Sequence, residues 1–382
     1  MSQNLRVDGS AGEREATLAQ LMRIAAACDL TIPSEHRRSL GIIGAGSIVD
    51  VAHLPAYRNA GLEVVAIVDR DLDRARAVAA RHGLERVHET IDDLLDDEDV
   101  ALVDIAVPAS FQPEIAIRAL EAGKDVICQK PLALDLGAGR RIVDRAAQLG
   151  RKVAVQQQLR FDEGIAATRA MIREGWIGEP TAVSFTVDVQ TDFSAWSWLV
   201  EAPKLELYYH SIHYFDAIRA LIGEPDRVFG TQSRRPGQVP RGETRTISTL
   251  IYPGDLRAVV HANHENLSGQ NRAEFQVDGT GGTIRGTLGL MYDYPHGRPD
   301  TLEIWSSVLP TDGWLSYPVT TRWIPDAFIG PVRSLLAAIA TAGEPETSAR
   351  DNLGTLRIIE ALYRSGETGE SQAIEPEQAT SA

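Results

Sequence analysis

Two short stretches carry side chains able to move a proton near neutral pH. One is Gln129-Lys130-Pro131, closing the apolar run DVIC; the other is Tyr209-His210-Ser211-Ile212-His213. An amine whose pKa has been lowered can accept a hydroxyl proton, and an imidazole needs little tuning to do so. If 206–222 is a helix, Tyr209, His213 and Asp216 fall on neighbouring turns, because residues three or four apart share a face. His213 is then the acid-base candidate and Tyr209 a hydroxyl donor without charge. A core histidine bonded to Asp216 is the competing reading for His213. Glu206, His210 and His213 also form a stripe with metal-ligand spacing. The favoured reading has no metal and gives His210 to substrate.

A third stretch, Gly44-Ala45-Gly46-Ser47-Ile48-Val49, follows an apolar strand and opens a helix, and Asp69 closes the next strand. That order is the dinucleotide fingerprint. Gly44 allows a tight turn, Gly46 lets backbone approach a pyrophosphate, and the free N–H groups around Ser47 and Ile48 bind the anion. Asp69 accepts from a ribose 2′-hydroxyl and repels a 2′-phosphate, whereas Arg70 attracts one, so NAD is favoured over NADP. The third fingerprint position is Val49, too large for close helix-strand packing.

Gln157 and Arg160 follow the last strand of this region and suit hydroxyls or a carboxylate. Trp198, with Trp196, precedes the histidine helix and suits stacking on a sugar face or plain packing. His261, His264 and Glu265 lie in strand-like sequence that sends positions three apart to opposite faces, so they read as sheet and turn chemistry. The acidic run from Asp92 to Asp99 reads as a solvated helix end.

The elements that must position these groups are legible by period. Over 40–155, continuously apolar strands alternate with helical patterns, which predicts a doubly wound parallel sheet covered on both faces. After Phe161 the runs TAVSFTVDV and RAEFQVDG alternate with period two, and further strands are expected at 227–233, 245–252, 256–263, 282–288 and 300–307. The expected fold is an α/β Rossmann sheet plus a second α+β domain with an open, mostly antiparallel sheet. Helices at 206–222 and 346–364 complete the latter. The expected boundaries are an N-terminal helical extension at 1–38, the nucleotide domain at 39–158, and a substrate-binding and oligomerisation domain at 159–382.

The chain has 382 residues, 43% hydrophobic and 24% charged, enough for two cores. Its net charge of −15 argues against nucleic acid, and no apolar run is long enough to span a membrane. Cys28 and Cys128 give no disulfide framework, which with the lack of a signal-peptide pattern predicts a cytoplasmic protein. The polar end, 367–382, is expected to fray.

The runs VALVDIAVPAS and AIRALEAGKDVICQKPLAL resemble the glucose-fructose oxidoreductase and myo-inositol dehydrogenase (Gfo/Idh/MocA) family, over about 40–365. The resemblance implies NAD(P)-dependent oxidation or reduction of a sugar or polyol, with Lys130 and His213 handling the hydroxyl proton. It adds Pro108, Gln129 and Lys130 to the cofactor-binding set, and a homodimer or homotetramer as the assembly. It also implies a cis bond before Pro131. The family's glutamate before the lysine is Gln129 here, and its aspartate four residues before the histidine is Tyr209. Without that glutamate, Lys130 is expected to be more readily neutral near pH 7. Two other functions stay open: transient redox serving elimination or hydrolysis, and nucleotide sensing without catalysis.

Overall fold

The computed structural model describes residues 11–309 and 313–375. Two compact units emerge from a chain that crosses between them several times. One holds Asp29–Asp162 and Thr321–Leu353; the other holds the first helix, Glu163–Thr320 and the chain from Gly354. The segment 321–353, which the sequence places with the second domain, clusters with the first. The helix Ala11–Ala27 belongs with the second unit rather than standing apart as an extension.

In the first unit, β1 (Leu40–Ile43), β2 (Val64–Val68), β3 (Arg86–His88), β4 (Leu102–Ile105), β5 (Asp125–Cys128) and β6 (Val153–Val155) form one parallel sheet. Their order is β3-β2-β1-β4-β5-β6, that of a dinucleotide-binding sheet. β1 and β4 are buried at every position, which explains their unbroken apolar sequence. Side-chain caps start the crossover helices: Asp71 accepts from Arg74 N–H before Leu72–His82, and Asp135 from Ala138 N–H before Leu136–Leu149. The acidic run is engaged locally. Thr90 and Asp93 form a capping box, and Asp97 and Asp99 pair with Arg86.

In the second unit, β7 (Pro180–Asp188), β8 (Arg227–Ser233), β9 (Arg245–Ile251), β10 (Arg257–Asn263), β11 (Arg272–Gly279), β12 (Gly282–Thr287), β13 (Leu302–Ser306), β14 (Leu315–Tyr317) and β15 (Gln372–Ala373) form the second sheet. Its order is β14-β13-β12-β11-β7-β10-β9-β8-β15. Only the β7–β10 pair is parallel among the described residues. Burial alternates along each strand, so one face is covered. The helix Ile212–Ile222 packs there: Tyr214 stacks on Phe185 at 5.5 Å, and Phe185 on Phe275 at 5.7 Å. Removing one such buried ring costs on the order of 3–5 kcal/mol.

The expected fraying at the end is corrected in part. The helix Ala349–Thr368 is followed by β15 on β8; 376–382 lie outside the described residues. Among the described residues no helix is long and apolar enough to cross a membrane.

Candidate active site

The turn after β1 can be made only by glycine at its first position. Gly44 has φ +108°, and a Cβ there would lie 2.3 Å from the Ala106 carbonyl oxygen. A Cβ at Gly46 would meet nothing within 4 Å, leaving backbone approachable where a pyrophosphate binds. Ser47 is exposed and Ile48 half-buried beside it. The helix opens at Ser47 and Ile48 and then widens into one π turn, Val49–His53. It starts at the bulky fingerprint residue, and Val49 is fully buried within it.

Asp69 directly follows β2 and accepts from the N–H groups of Ala45 (2.7 Å) and Asp71 (2.8 Å) and from Arg74 (2.7 Å). Partial burial opposes ionisation, but the Arg74 hydrogen bond and the two N–H groups outweigh it and hold the carboxyl below its ordinary range. Arg70 is exposed, and the guanidinium on Asp69 is that of Arg74, which spacing alone did not mark. Pro108 is half-buried in the turn after β4, where its carbonyl accepts from Phe111 N–H.

β5 delivers Gln129 and Lys130 to the same carboxyl edge. Gln129 N–H donates to Ile105, and the Lys130–Pro131 bond is cis. Buried Gln112 clamps this turn, its amide nitrogen donating to the carbonyls of Gln129 (2.6 Å), Pro131 (2.9 Å) and Leu132 (3.1 Å). Lys130 keeps partial access to solvent, yet burial pushes its amine down to about 7. The neighbouring side chain is neutral: Gln129 Oε1 accepts from Lys130 N–H at 2.7 Å. Beyond it lie His53, Asp104 and Tyr57, all fully buried. The sequence held a signal for them. Asp104 interrupts the apolar strand VALVDIAV, and a carboxylate inside a parallel sheet requires a partner.

Past β6, Gln157 is 1% exposed, and neither atom of its side-chain amide has a hydrogen-bond partner among the described residues. Arg160 sits differently from expectation. It is buried, with its guanidinium on Asp351 (2.6 Å) and the Glu346 carbonyl (3.3 Å), where it holds the 346–351 segment.

In the second unit, a π turn, Leu207–Ser211, leads into the helix Ile212–Ile222. Tyr209 sits on the π turn edge-on to exposed Trp198 (5.3 Å between ring centroids), and burial pushes its phenol up to about 12. His210 packs against His264, with ring centroids 4.1 Å apart, and Phe193 meets His210 edge-on. His264 Nδ1 lies 2.8 Å from Thr191 Oγ1. His261 is exposed and His264 buried, as strand alternation demands; the pairing of His264 with His210 was not visible in sequence. His213 is buried at the start of the helix, and Asp216, one turn on, accepts from Thr355 (2.9 Å). Glu206 is buried and accepts from Ser211 and Thr246, each at 2.6 Å. Among the described residues no group of three or more His, Cys, Asp or Glu is placed to hold a metal ion.

Comparison with known proteins bears on both units. Residues 38–157 match the model of an oxidoreductase family with an NAD-binding Rossmann fold, and residues 165–285 match the GFO/IDH/MocA C-terminal domain. A D-apiose dehydrogenase from Paraburkholderia graminis is 32% identical over 339 residues, covering 85% of this chain and 88% of the relative. The chain belongs to the GFO/IDH/MocA family. An inositol 2-dehydrogenase from Rhizobium meliloti is 26% identical, covering 85% and 96%. An Agrobacterium radiobacter oxidoreductase solved with NAD+, L-tartaric acid and magnesium has a TM-score of 0.78 at 24% identity, covering 88% of this chain and 98% of that one, a likeness of fold. This GFO/IDH/MocA protein is thus an NAD-binding oxidoreductase, and its glycine turn, open backbone at Gly46 and anchored Asp69 fit that cofactor.

Proposed function

We propose that the protein is an NAD-dependent dehydrogenase or reductase of a sugar or polyol, interconverting a secondary hydroxyl and a carbonyl. The observation that carries this reading is the Lys130 amine, brought by burial to about 7 at the carboxyl edge of the nucleotide-binding sheet. Bound NAD supplies the two-electron acceptor, taking a hydride from the hydroxyl-bearing carbon. Lys130 accepts the hydroxyl proton, and in the reverse direction returns it. His213 is the second proton-handling group, and Tyr209, whose phenol stays neutral, donates to a substrate oxygen.

Gly44, Gly46, Ser47 and Ile48 hold the pyrophosphate, Asp69 the ribose, and Pro108, Gln129 and Lys130 the nicotinamide edge. Asp69, which holds the Arg74 guanidinium, favours NAD, and exposed Arg70 beside it is the group that a 2′-phosphate of NADP would meet. Gln157, a buried amide with donor and acceptor uncommitted among the described residues, and exposed Trp198 suit a ligand rich in hydroxyls. His210 joins them as a substrate contact; Arg160 serves by holding the 346–351 segment. Named relatives that act on apiose and inositol support this substrate class. A homo-oligomer joined through the open sheet face is supported by Phe229, Ile247, Val259 and Trp305, which are exposed there. Only two cysteines, with no disulfide between Cys28 and Cys128, suit a reducing compartment.

The test is initial-rate NADH formation across aldoses, alditols and inositols, with NAD and NADP in parallel. The expected result is stoichiometric NADH from at least one member and preference for NAD. Cofactor binding with no turnover of any member overturns the reading, and product formation without net NADH replaces it by the transient-redox scheme.

A further inference from the structure

Behind the Lys130 turn runs a chain of hydrogen bonds whose proton positions follow from its ends. The Lys130 backbone N–H can only donate, so the Gln129 side-chain atom 2.7 Å away is the amide oxygen. The amide nitrogen can only donate, and it lies 3.0 Å from His53 Nε2, which must therefore present its lone pair. The ring proton sits on Nδ1 and donates to Asp104 Oδ2 at 2.6 Å, the oxygen that also accepts from Tyr57 at 2.8 Å. Phe328 covers the ring at 5.2 Å between centroids. The titratable groups that meet it are Asp104 on β4 and Tyr57 one turn on in its own helix; Cys128 on β5 feels the Asp104 charge, and burial and that charge push its thiol up.

We infer that His53 is a positioning residue for Lys130: held by Asp104 as the neutral Nδ1–H tautomer, it fixes the Gln129 amide and, through it, the backbone that carries the amine. A doubly protonated ring would set two donors face to face, and the amide would have to flip its NH2 towards the Lys130 N–H. Residues 53 and 129 are thus a matched pair. Glutamate at 129 offers only acceptors: one oxygen keeps the Lys130 N–H, and the other demands a proton on Nε2. Gln129→Glu therefore draws a proton onto His53, and that positive charge, further from the amine, offsets part of the added negative charge. Without the imidazole the added negative charge is uncompensated, and the lysine is held protonated to higher pH.

This role rests on the acid-base function proposed for Lys130, so its test includes a readout independent of activity. The rate of Lys130 acetylation by limiting acetic anhydride, read by mass spectrometry as a function of pH, gives its titration in wild type, His53→Gln, His53→Asn, Gln129→Glu and the Gln129→Glu/His53→Gln double variant. A glutamine at 53 reaches the Nε2 position and can still accept from Gln129, whereas asparagine reaches only the Nδ1 position. The expected result is a wild-type titration and turnover within a few-fold for His53→Gln. For His53→Asn, kcat falls roughly 10- to 100-fold with NAD affinity unchanged, as for a displaced catalytic group. The Lys130 midpoint should rise more in the double variant than in Gln129→Glu alone. Equal behaviour of His53→Gln and His53→Asn, or a double variant that matches Gln129→Glu, overturns the inference. A failure of all proteins to oxidise any sugar or polyol bears on the proposed function, while the acetylation profiles still decide the role of His53.

Discussion

Both units carry a π turn near the start of the helix nearest their candidate chemistry, Val49–His53 in one and Leu207–Ser211 in the other, yet they surround it in opposite ways. In the nucleotide-binding unit the turn hands an imidazole to a single carboxylate, and everything between that pair and Lys130 is a neutral amide. In the sheet unit the turn is held by carboxylates. Glu206 takes Ser211 and Thr246; Glu243, its carboxyl pushed up by burial, takes Leu205 N–H and the Tyr363 hydroxyl. The contrast teaches that Lys130 is shifted by burial beside a neutral amide, whereas His213 stands on a helix whose start is anchored by hydrogen-bonded acids.

Removing the amine should break the first half of that comparison most severely. Lys130→Met is expected to lower kcat by roughly 10²–10⁴-fold with little change in NAD affinity, by steady-state kinetics and cofactor titration. A loss confined to KM would make Lys130 a binding group only. For the other half, Glu206→Ala leaves two buried hydroxyls without their acceptor and should cost about 3 kcal/mol in urea unfolding, with NAD affinity unchanged. A stability change near zero would remove the anchoring role.

Asp69→Ala should weaken NAD binding about tenfold and narrow the preference over NADP, read by fluorescence titration. Unaltered preference would detach Asp69 from the ribose. The smallest expected effect is on stability at Lys130. Its folded pKa, about 7, lies below that of an unfolded lysine, so the penalty for burying the charge is fully present below pH 7 and fades as pH rises towards 10. Lys130→Met should therefore stabilise the fold by about 1–2 kcal/mol at pH 6, after allowance for partial solvent access, and by less at pH 9. A gain independent of pH would place the lysine in ordinary solvent.

Most of the sheets was readable because period reports burial: 227–233 is β8, and β9 and β10 lie within a residue of their expected bounds. The fingerprint was readable because its glycines serve a local turn. What escaped depends on contacts remote in sequence. The return of 321–353 to the nucleotide-binding unit, Asp351 waiting for Arg160, His264 against His210 and β15 beside β8 leave no mark on local periodicity. The π turn at Val49 was half visible, since an oversized residue in the fingerprint announced a departure without saying which. His53 and Asp104 escaped for the same reason as Arg160, although the acid inside an apolar strand asked for a partner.

If Lys130 is the base of the proposed reaction, burial beside the neutral Gln129 side chain is what makes its amine available near neutral pH. The pH dependence of kcat/KM for NADH formation tests it most directly. The wild type should show an acidic limb near pH 7 that disappears in Lys130→Met. A profile flat from pH 6 to 9, or a limb that survives in Lys130→Met, would contradict the account.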